Sequence, residues 1–271
     1  MHVVVCVKQV PDTTNVRINP ETNTLMREGV ESILNPFDEY ALEEGLRLKD
    51  AHGAKVTVVS MGPPQATAVL KEALARGADD AFLVSSRAFG GADTLATSYT
   101  IAMAVKKACD GETPDLVLFG KQAIDGDTAQ VGPGVSEFLD VPLVTYVKKL
   151  DVAVAEGGAI SFHVVTAMDD GDKVIEGELP AVMTVLKEAS TPRYAPLAGA
   201  IRAAGTKITV LDEKAVEADP IRIGLKGSPT KVVTIFPPPV KGGGEKIDVR
   251  GDGAKGAAAI AEFLKKKGLV K

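Results

Sequence analysis

Apolar and polar positions in this chain alternate between unbroken apolar runs and helical spacing. Residues 2–7, HVVVCV, form a continuous apolar run closed by Lys8 and Pro11, the pattern of a buried central strand. Residues 55–61, 80–85 and 115–120 read as further strands. Helical segments separate them. Asn35-Pro36-Phe37-Asp38 is a good helix start: Asn35 can cap, Pro36 fits the first helical position, and Asp38 and Glu39 suit the positive end. That helix is predicted to run to His52, where Gly53 stops it. Residues 63–76 give a second helix ended by Gly77. Residues 93–109 give a third, with Leu95, Ala102, Val105 and Cys109 on one face, and a fourth ends near Leu139. Strands and helices alternating at this spacing predict an α/β fold with a mostly parallel sheet flanked by helices.

The second half changes character. Residues 145–152, 159–166 and 173–178 look like antiparallel strands joined by turns at Gly157-Gly158 and Asp170-Gly171, an antiparallel extension of the sheet. Residues 181–186 resemble another core strand. An earlier surface hairpin or arm is expected over residues 16–26, with a turn around Asn19–Asn23. After Pro192 regular alternation is lost. The chain becomes rich in glycine and proline, including Pro237-Pro238-Pro239 and Gly242-Gly243-Gly244, and closes with an amphipathic helix over about residues 253–267. This divides the chain into an α/β domain, residues 1–191, and an extended C-terminal arm, residues 192–271. Such an arm rarely forms its own core; it wraps a partner or stands as a surface tail, and composition does not choose between them.

The net charge of -5 over 271 residues argues against nucleic acid as a main partner, because phosphate backbones call for a basic surface. Cys6 and Cys109 are far apart, and His2, His52 and His163 are scattered, so neither a disulfide nor a metal site is expected. The opening apolar run is too short for a membrane helix and lacks a basic flank, which makes the cytoplasm the expected location and membrane insertion unexpected.

Two loops carry candidate chemistry. The segment from Gly120 to Val131, GKQAIDGDTAQV, follows a strand and precedes a helix, and Asp127 with Gln130 resembles a capping box. A helix opened at Asp127 turns the N–H groups of Thr128, Ala129 and Gln130 toward a phosphate. Pro133 then falls inside the helix, where it introduces a kink. The plain alternative is an ordinary β–α turn; the position at the carboxyl end of a strand favours binding. The segment SSRAFGGADTLATS, residues 85–98, also follows a strand. There Gly90 and Gly91 allow close backbone approach, Asp93 can cap, Thr94, Thr97 and Ser98 offer hydroxyls, and Arg87 is a nearby cation. Standing alone it reads as a capped surface loop sooner than as a ligand site. Cys6 is read as a small buried hydrophobe, and Lys8 as a solvated strand end or a site cation. Dinucleotide, P-loop, hydrolase-elbow and metal-pair motifs are all missing, which points to holding a cofactor and away from bond chemistry by side chains.

The segments VVVCVKQVPD, NPFDEYALEEGLRLK, VVSMGP, ALARGADDAFLV, FGKQAIDGDTAQVG, DDGDKVIEGELPAVMTV and TPRYAPL resemble the β subunit of electron transfer flavoproteins over nearly the whole chain. The resemblance implies an adenine-nucleotide-binding α/β domain, a C-terminal arm embracing an α subunit, and a nucleotide held around Cys6, Asn35, Pro36, Phe37, Asp38, Met61 and the stretch Gly120, Lys121, Gln122, Ala123, Gly126, Asp127, Thr128, Ala129, Gln130 and Val131. In the conventional branch that nucleotide is structural AMP. In the electron-bifurcating branch it is FAD, reduced by NADH. AIDGDTAQVGP and SRAFGGADTLATS look like the bifurcating branch, which adds Gly90, Gly91, Asp93, Thr94 and Thr97 to the FAD site and gives Arg87 a role in tuning the flavin. The implied partners are an acyl-CoA dehydrogenase-type flavoenzyme and ferredoxin or flavodoxin. The family's partner-recognition loop corresponds to residues 186–191, where Ala189 replaces the usual leucine anchor. A nucleotide-binding sensor or interaction module on a similar fold is the reading from a different class.

Overall fold

A computed structural model describes residues 1–12, 17–19, 24–26, 32–234, 242 and 246–271. The elements in chain order are β1 (His2–Cys6), β2 (Gln9–Pro11), β3 (Arg17–Asn19), β4 (Thr24–Met26), β5 (Ser32–Leu34), α1 (Pro36–His52) and β6 (Lys55–Met61). Then come α2 (Thr67–Arg76), β7 (Asp80–Val84), α3 (Thr94–Ala108), β8 (Leu116–Gly120), α4 (Val131–Leu139), β9 (Leu143–Val154) and β10 (Ile160–Met168). β11 (Gly171–Glu178), β12 (Ala181–Val185), α5 (Leu197–Gly205), β13 (Thr209–Leu211) and α6 (Gly253–Lys266) complete the series.

One nine-stranded sheet has the order β11-β10-β9-β12-β8-β1-β6-β7-β13. The pairs from β9 through β12, β8, β1, β6 and β7 to β13 are parallel, whereas β9–β10 and β10–β11 are antiparallel. This is the α/β architecture that the alternation predicts, with the antiparallel extension at one edge. Successive side chains of β1 serve opposite faces. Val3 and Val5 join the core under α1 and α2, while Val4 and Cys6 join the core under α3 and α4. Both faces are covered, so the central strands are apolar throughout. β1 lies between β6 and β8, and the chain leaves on one side through β6 and β7 before crossing back to β8. That reversal opens a crevice at the strands' carboxyl ends.

Several local expectations meet their physical test here. Gly53 takes the left-handed conformation at φ 67° and closes α1, as a glycine stop does. β3 and β4 pair antiparallel as the flanks of the predicted hairpin, whose turn residues lie outside the described ones. Leu95 is 50% exposed and does not belong to the buried face of α3, which is built from Ile101, Ala102, Val105 and Ala108. Asp93 caps the helix two residues ahead of Leu95, whose side chain faces solvent while that of Ala96 is buried.

The chain after Pro192 is more regular than its composition suggests. α5 lies against α2 so closely that a Cβ on Gly199 would sit 2.0 Å from the Ala75 carbonyl oxygen. β13 then adds a parallel edge strand beside β7. One compact unit therefore spans Met1–Thr234, beyond the boundary expected at residue 191. The second unit, Ile235–Lys271, holds α6, capped by Asp252, and none of its helical residues is buried. The Pro237 to Pro239 run and Gly243-Gly244 lie outside the described residues.

Candidate functional site

A cavity of about 720 Å³ opens at the carboxyl ends of β1, β6 and β8, in the crevice created by the strand-order reversal. Cys6, Met61 and Gly120 end those strands and line it. Burial, followed by the neighbouring Asp38 carboxylate, pushes the Cys6 thiol well above its ordinary range, so Cys6 is a neutral apolar wall.

The base of the cavity is tied together by α1. The Asp38 carboxylate accepts the Lys8 N–H at 2.7 Å and the Gly120 N–H at 3.2 Å, joining the ends of β1 and β8. Asp38 is buried, and that burial raises its carboxyl to about 7 despite the two N–H donors. Asn35 is fully buried and makes no cap bond with its side chain. Its amide instead donates to the Gln122 carbonyl at 2.9 Å and its Oδ1 accepts the Ile124 N–H at 3.1 Å. Asn35 is thus a clamp on the loop after β8, a correction to its reading as a helix cap. Pro36 and Phe37 begin α1 behind this clamp and do not line the cavity.

The loop itself corrects a second expectation. α4 starts at Val131, and Gln130 occupies the cap position without a side-chain cap bond. Asp127 stands at φ 54° and Ala129 at φ 53°, left-handed conformations incompatible with a helix opened at Asp127. The Asp127 carboxylate accepts from Gln122 Nε2 at 2.5 Å, and Gln130 Oε1 accepts the Thr94 hydroxyl at 2.8 Å, so no capping box forms. The shift removes the expected kink, because Pro133 now falls in the first turn, where its missing N–H costs nothing. Among the described residues, the N–H groups of Thr128, Ala129, Gln130, Val131 and Gly132 have no acceptor, and all five residues line the cavity. Left-handed and right-handed residues in alternation aim such groups into a common hollow suited to an anion. The donors that phosphate needs are present, but a loop hollow supplies them where a helix opened at Asp127 was expected.

The second loop is built differently. Residues Arg87–Phe89 make a short 3₁₀ turn, with Ser86 Oγ accepting the Ala88 N–H. Phe89 points inward and lines the cavity, while Arg87 is exposed and, like Gly90, is not part of the lining. Asp93 caps α3 by accepting the Leu95 and Ala96 N–H groups. It also accepts the Thr230 N–H and hydroxyl. Burial raises the Asp93 carboxyl, but the N–H donors Ala96, Thr230 and Leu95 outweigh it and hold the group below its usual range.

Of the residues singled out from sequence, Cys6, Asp38, Met61, Gly91, Asp93, Thr94 and Thr97 share this one cavity with Gly120, Lys121, Gln122, Ala123, Gly126, Thr128, Ala129, Gln130 and Val131. Asn35, Pro36, Phe37, Arg87, Gly90 and Asp127 lie outside its lining. Sequence reasoning missed Gln65, Phe89, Ile101, Asp125 and Gly132. Asp125 receives Lys8 Nζ at 2.6 Å, which makes Lys8 a cavity cation already paired. The Asp-Gly-Asp wording of the loop was the available signal for Asp125. Nothing local marks Gln65, which reaches the cavity through the turn after β6.

The profile of the Electron transfer flavoprotein domain matches residues 22–216, well over half of the chain. The chain is 51% identical over 248 residues to the Electron transfer flavoprotein subunit beta of Clostridium acetobutylicum, covering 92% of each. The chain belongs to the electron transfer flavoprotein β-subunit family. Membership in this electron-transfer family displaces the reading as a sensor module. The chain is also 50% identical over 248 residues to the Caffeyl-CoA reductase-Etf complex subunit CarD of Acetobacterium woodii, covering 91% of this chain and 92% of that one. It is 48% identical over 240 residues to Protein FixA of Azotobacter vinelandii, covering 88% and 84%. β subunits of electron transfer flavoproteins pair with an α subunit. Among the described residues no helix is long and apolar enough to cross a membrane. No group of histidine, cysteine and carboxylate side chains among them is suited to a metal.

Proposed function

We propose that this electron transfer flavoprotein β subunit binds FAD in the cavity, that NADH reduces it, and that the two electrons part, one to ferredoxin or flavodoxin and one through an α-subunit FAD to an acyl-CoA dehydrogenase-type flavoenzyme. The observation that carries this reading is the continuity of one cavity across both β–α loops, from Gly91 and Thr97 to Gly120 and Val131. A bound flavin supplies the step between two-electron and one-electron chemistry. This chain's residues supply the open N–H groups at 128–132 for the diphosphate, apolar walls at Cys6, Met61 and Phe89, and hydroxyls at Thr94 and Thr97. The relative named as a caffeyl-CoA reductase–Etf complex subunit supports a partner that reduces a CoA thioester.

Structural AMP is the second reading. The bond between Thr94 and Gln130 favours it, because it ties the two loops directly to each other beside the open N–H groups. Coexpression with the α subunit, denaturation and identification of the released nucleotides separates the two. Two FAD per heterodimer is expected; one FAD with one AMP overturns the bifurcating reading.

The α subunit is proposed to receive α6, where Ile260 and Phe263 are 63% and 56% exposed. The dehydrogenase-type partner is proposed to meet residues 186–191, which the structure fastens to α1. Arg193 binds Glu43 and Asp50 there, and the Ser190 hydroxyl donates to the Tyr40 carbonyl. Arg87 is exposed, two residues from the cavity-lining Phe89, and its flavin-tuning role is part of this proposal. Arg87→Ala is expected to abolish NADH-dependent ferredoxin reduction while the heterodimer still assembles; unchanged reduction removes Arg87 from the mechanism.

A further inference from the structure

Two lysines line the cavity, and they are held in different ways. Lys8 is neutralised by Asp125 at 2.6 Å. Lys121, whose N–H continues the sheet by donating to the Val185 carbonyl, has no carboxylate within ion-pair distance among the described residues. Its ammonium lies 5.6 Å from the centroid of the Tyr146 ring. That distance is within reach of a cation–π attraction, which holds a cation in place without cancelling its charge.

The backbone of Tyr146 is unusual for a strand. It stands at φ 57° inside β9. For a bulky aromatic residue this is an uncommon and costly conformation. The pairing register explains how it arises. Met183 faces Val144 and Val185 faces Val147, so Thr184 alone stands opposite two residues of β9. This is a bulge, a device that re-aims a side chain. Thr184 braces it on both sides. Its hydroxyl accepts the Tyr146 N–H at 3.1 Å, and its methyl lies where a Cβ on Gly132 would come within 2.8 Å. Gly132 is in the first turn of α4 and lines the cavity. Tyr146 and Thr184 stand behind the lining and reach it through the residues they touch, Tyr146 through Lys121 and Thr184 through Gly132.

We infer that Tyr146 is a positioning residue: from its left-handed bulge it holds the Lys121 side chain, unpaired with any carboxylate among the described residues, toward the phosphate portion of the bound nucleotide. The inference rests on the nucleotide reading of the cavity.

The test uses the full chain in complex with its α subunit, the α-subunit FAD retained and the cavity of this chain emptied, titrated calorimetrically with FAD and with AMP. Tyr146→Phe keeps the ring and is expected to bind like the parent. Tyr146→Asn tolerates the left-handed backbone but lacks the ring, and is expected to weaken binding by about three- to tenfold. Its melting temperature should be equal to or above the parent's, because the strain is relieved. In a Lys121→Met background the same Tyr146→Asn change should cost no further affinity. Equal losses in the two backgrounds, or parent-like binding by Tyr146→Asn, overturn the positioning role while leaving the nucleotide site intact. Failure of the parent complex to bind either nucleotide overturns the cavity reading itself.

Discussion

The two loops that meet at the cavity, one after β7 and one after β8, have similar sequences and opposite solutions. Both follow an apolar strand, both contain glycine and aspartate, and both lead into a helix. After β7, Asp93 turns back on its own helix and accepts the first N–H groups of α3. After β8, no side chain caps α4, and the N–H groups of residues 128–132 have no acceptor among the described residues. A capping side chain and an anionic ligand compete for the same donors. The capped loop is therefore a finished structural element, and the uncapped one is left ready for a ligand. Besides its own bonds from Gln122 to Asp127 and to the Ala123 carbonyl, the uncapped loop is held in place from outside, by Asn35 and Asp38.

The largest effect in breaking this comparison is expected at Gly120. A Cβ there would lie 2.4 Å from Asp38 Oδ1 and 2.5 Å from the Phe37 carbonyl carbon. Gly120→Ala should cost about 3 kcal/mol or more, read as a drop in the denaturant midpoint, because backbone is the obstacle and cannot step aside. Asn35→Ala comes next. It strands the Gln122 carbonyl and the Ile124 N–H, with an expected loss of about 2–3 kcal/mol. It should also weaken nucleotide binding, since the hollow loses its support. Asp93→Ala should cost about 1–2 kcal/mol, the usual worth of a cap with an added tie to Thr230. Nucleotide affinity should fall less than in the Asn35 variant, because none of the open N–H groups at 128–132 depends on Asp93. Equal losses of affinity in the Asn35 and Asp93 variants would remove the distinction between a clamped ligand loop and a capped structural one.

The smallest effect is a pH dependence. The folded Asp38 carboxyl titrates at about 7, above its ordinary value of 3.8. A raised folded value means that protonation of Asp38 favours the fold at low pH, and that this contribution is lost as pH rises through 7. Stability should fall by about 1 kcal/mol between roughly pH 5 and pH 6 and level off above pH 7, followed by chemical denaturation of the nucleotide-free protein. Asp38→Asn should abolish this slope while lowering stability overall, because one of its two N–H donors loses its acceptor. An unchanged slope in the variant assigns the titration to another group.

Much of the scaffold was legible in the sequence. The span of β6, the glycine stop at Gly53 and the antiparallel extension follow from periodicity and turn residues alone. The site was legible in outline, because a motif at a strand's carboxyl end has few other uses in an open α/β sheet. The roles inside it were not. Asn35 has the residue type, the position and the following Pro36 of a helix cap, yet its partners are Gln122 and Ile124. Asp127 and Gln130 have capping-box spacing, but Asp127 takes a left-handed backbone and the helix begins later. Tyr146 looks like an ordinary aromatic in a strand; only the register with β12 shows that it is bulged. The segment after Pro192 misled in the other direction. Its composition reads as irregular, but α5 and β13 find packing partners in α2 and β7.

By itself the sequence determined the central strands and most of the helices between them, the strand-end loops that stand beside a cleft, and the family. Those properties depend on neighbours along the chain, and periodicity records them. The tertiary structure alone decided which polar groups are already satisfied and which remain free. A hydrogen bond saturates its donor wherever the acceptor comes from, so the sequence could nominate the N–H groups of residues 128–130, but that residues 128–132 keep theirs open was decided only when β1, α1, β8 and α4 were brought together.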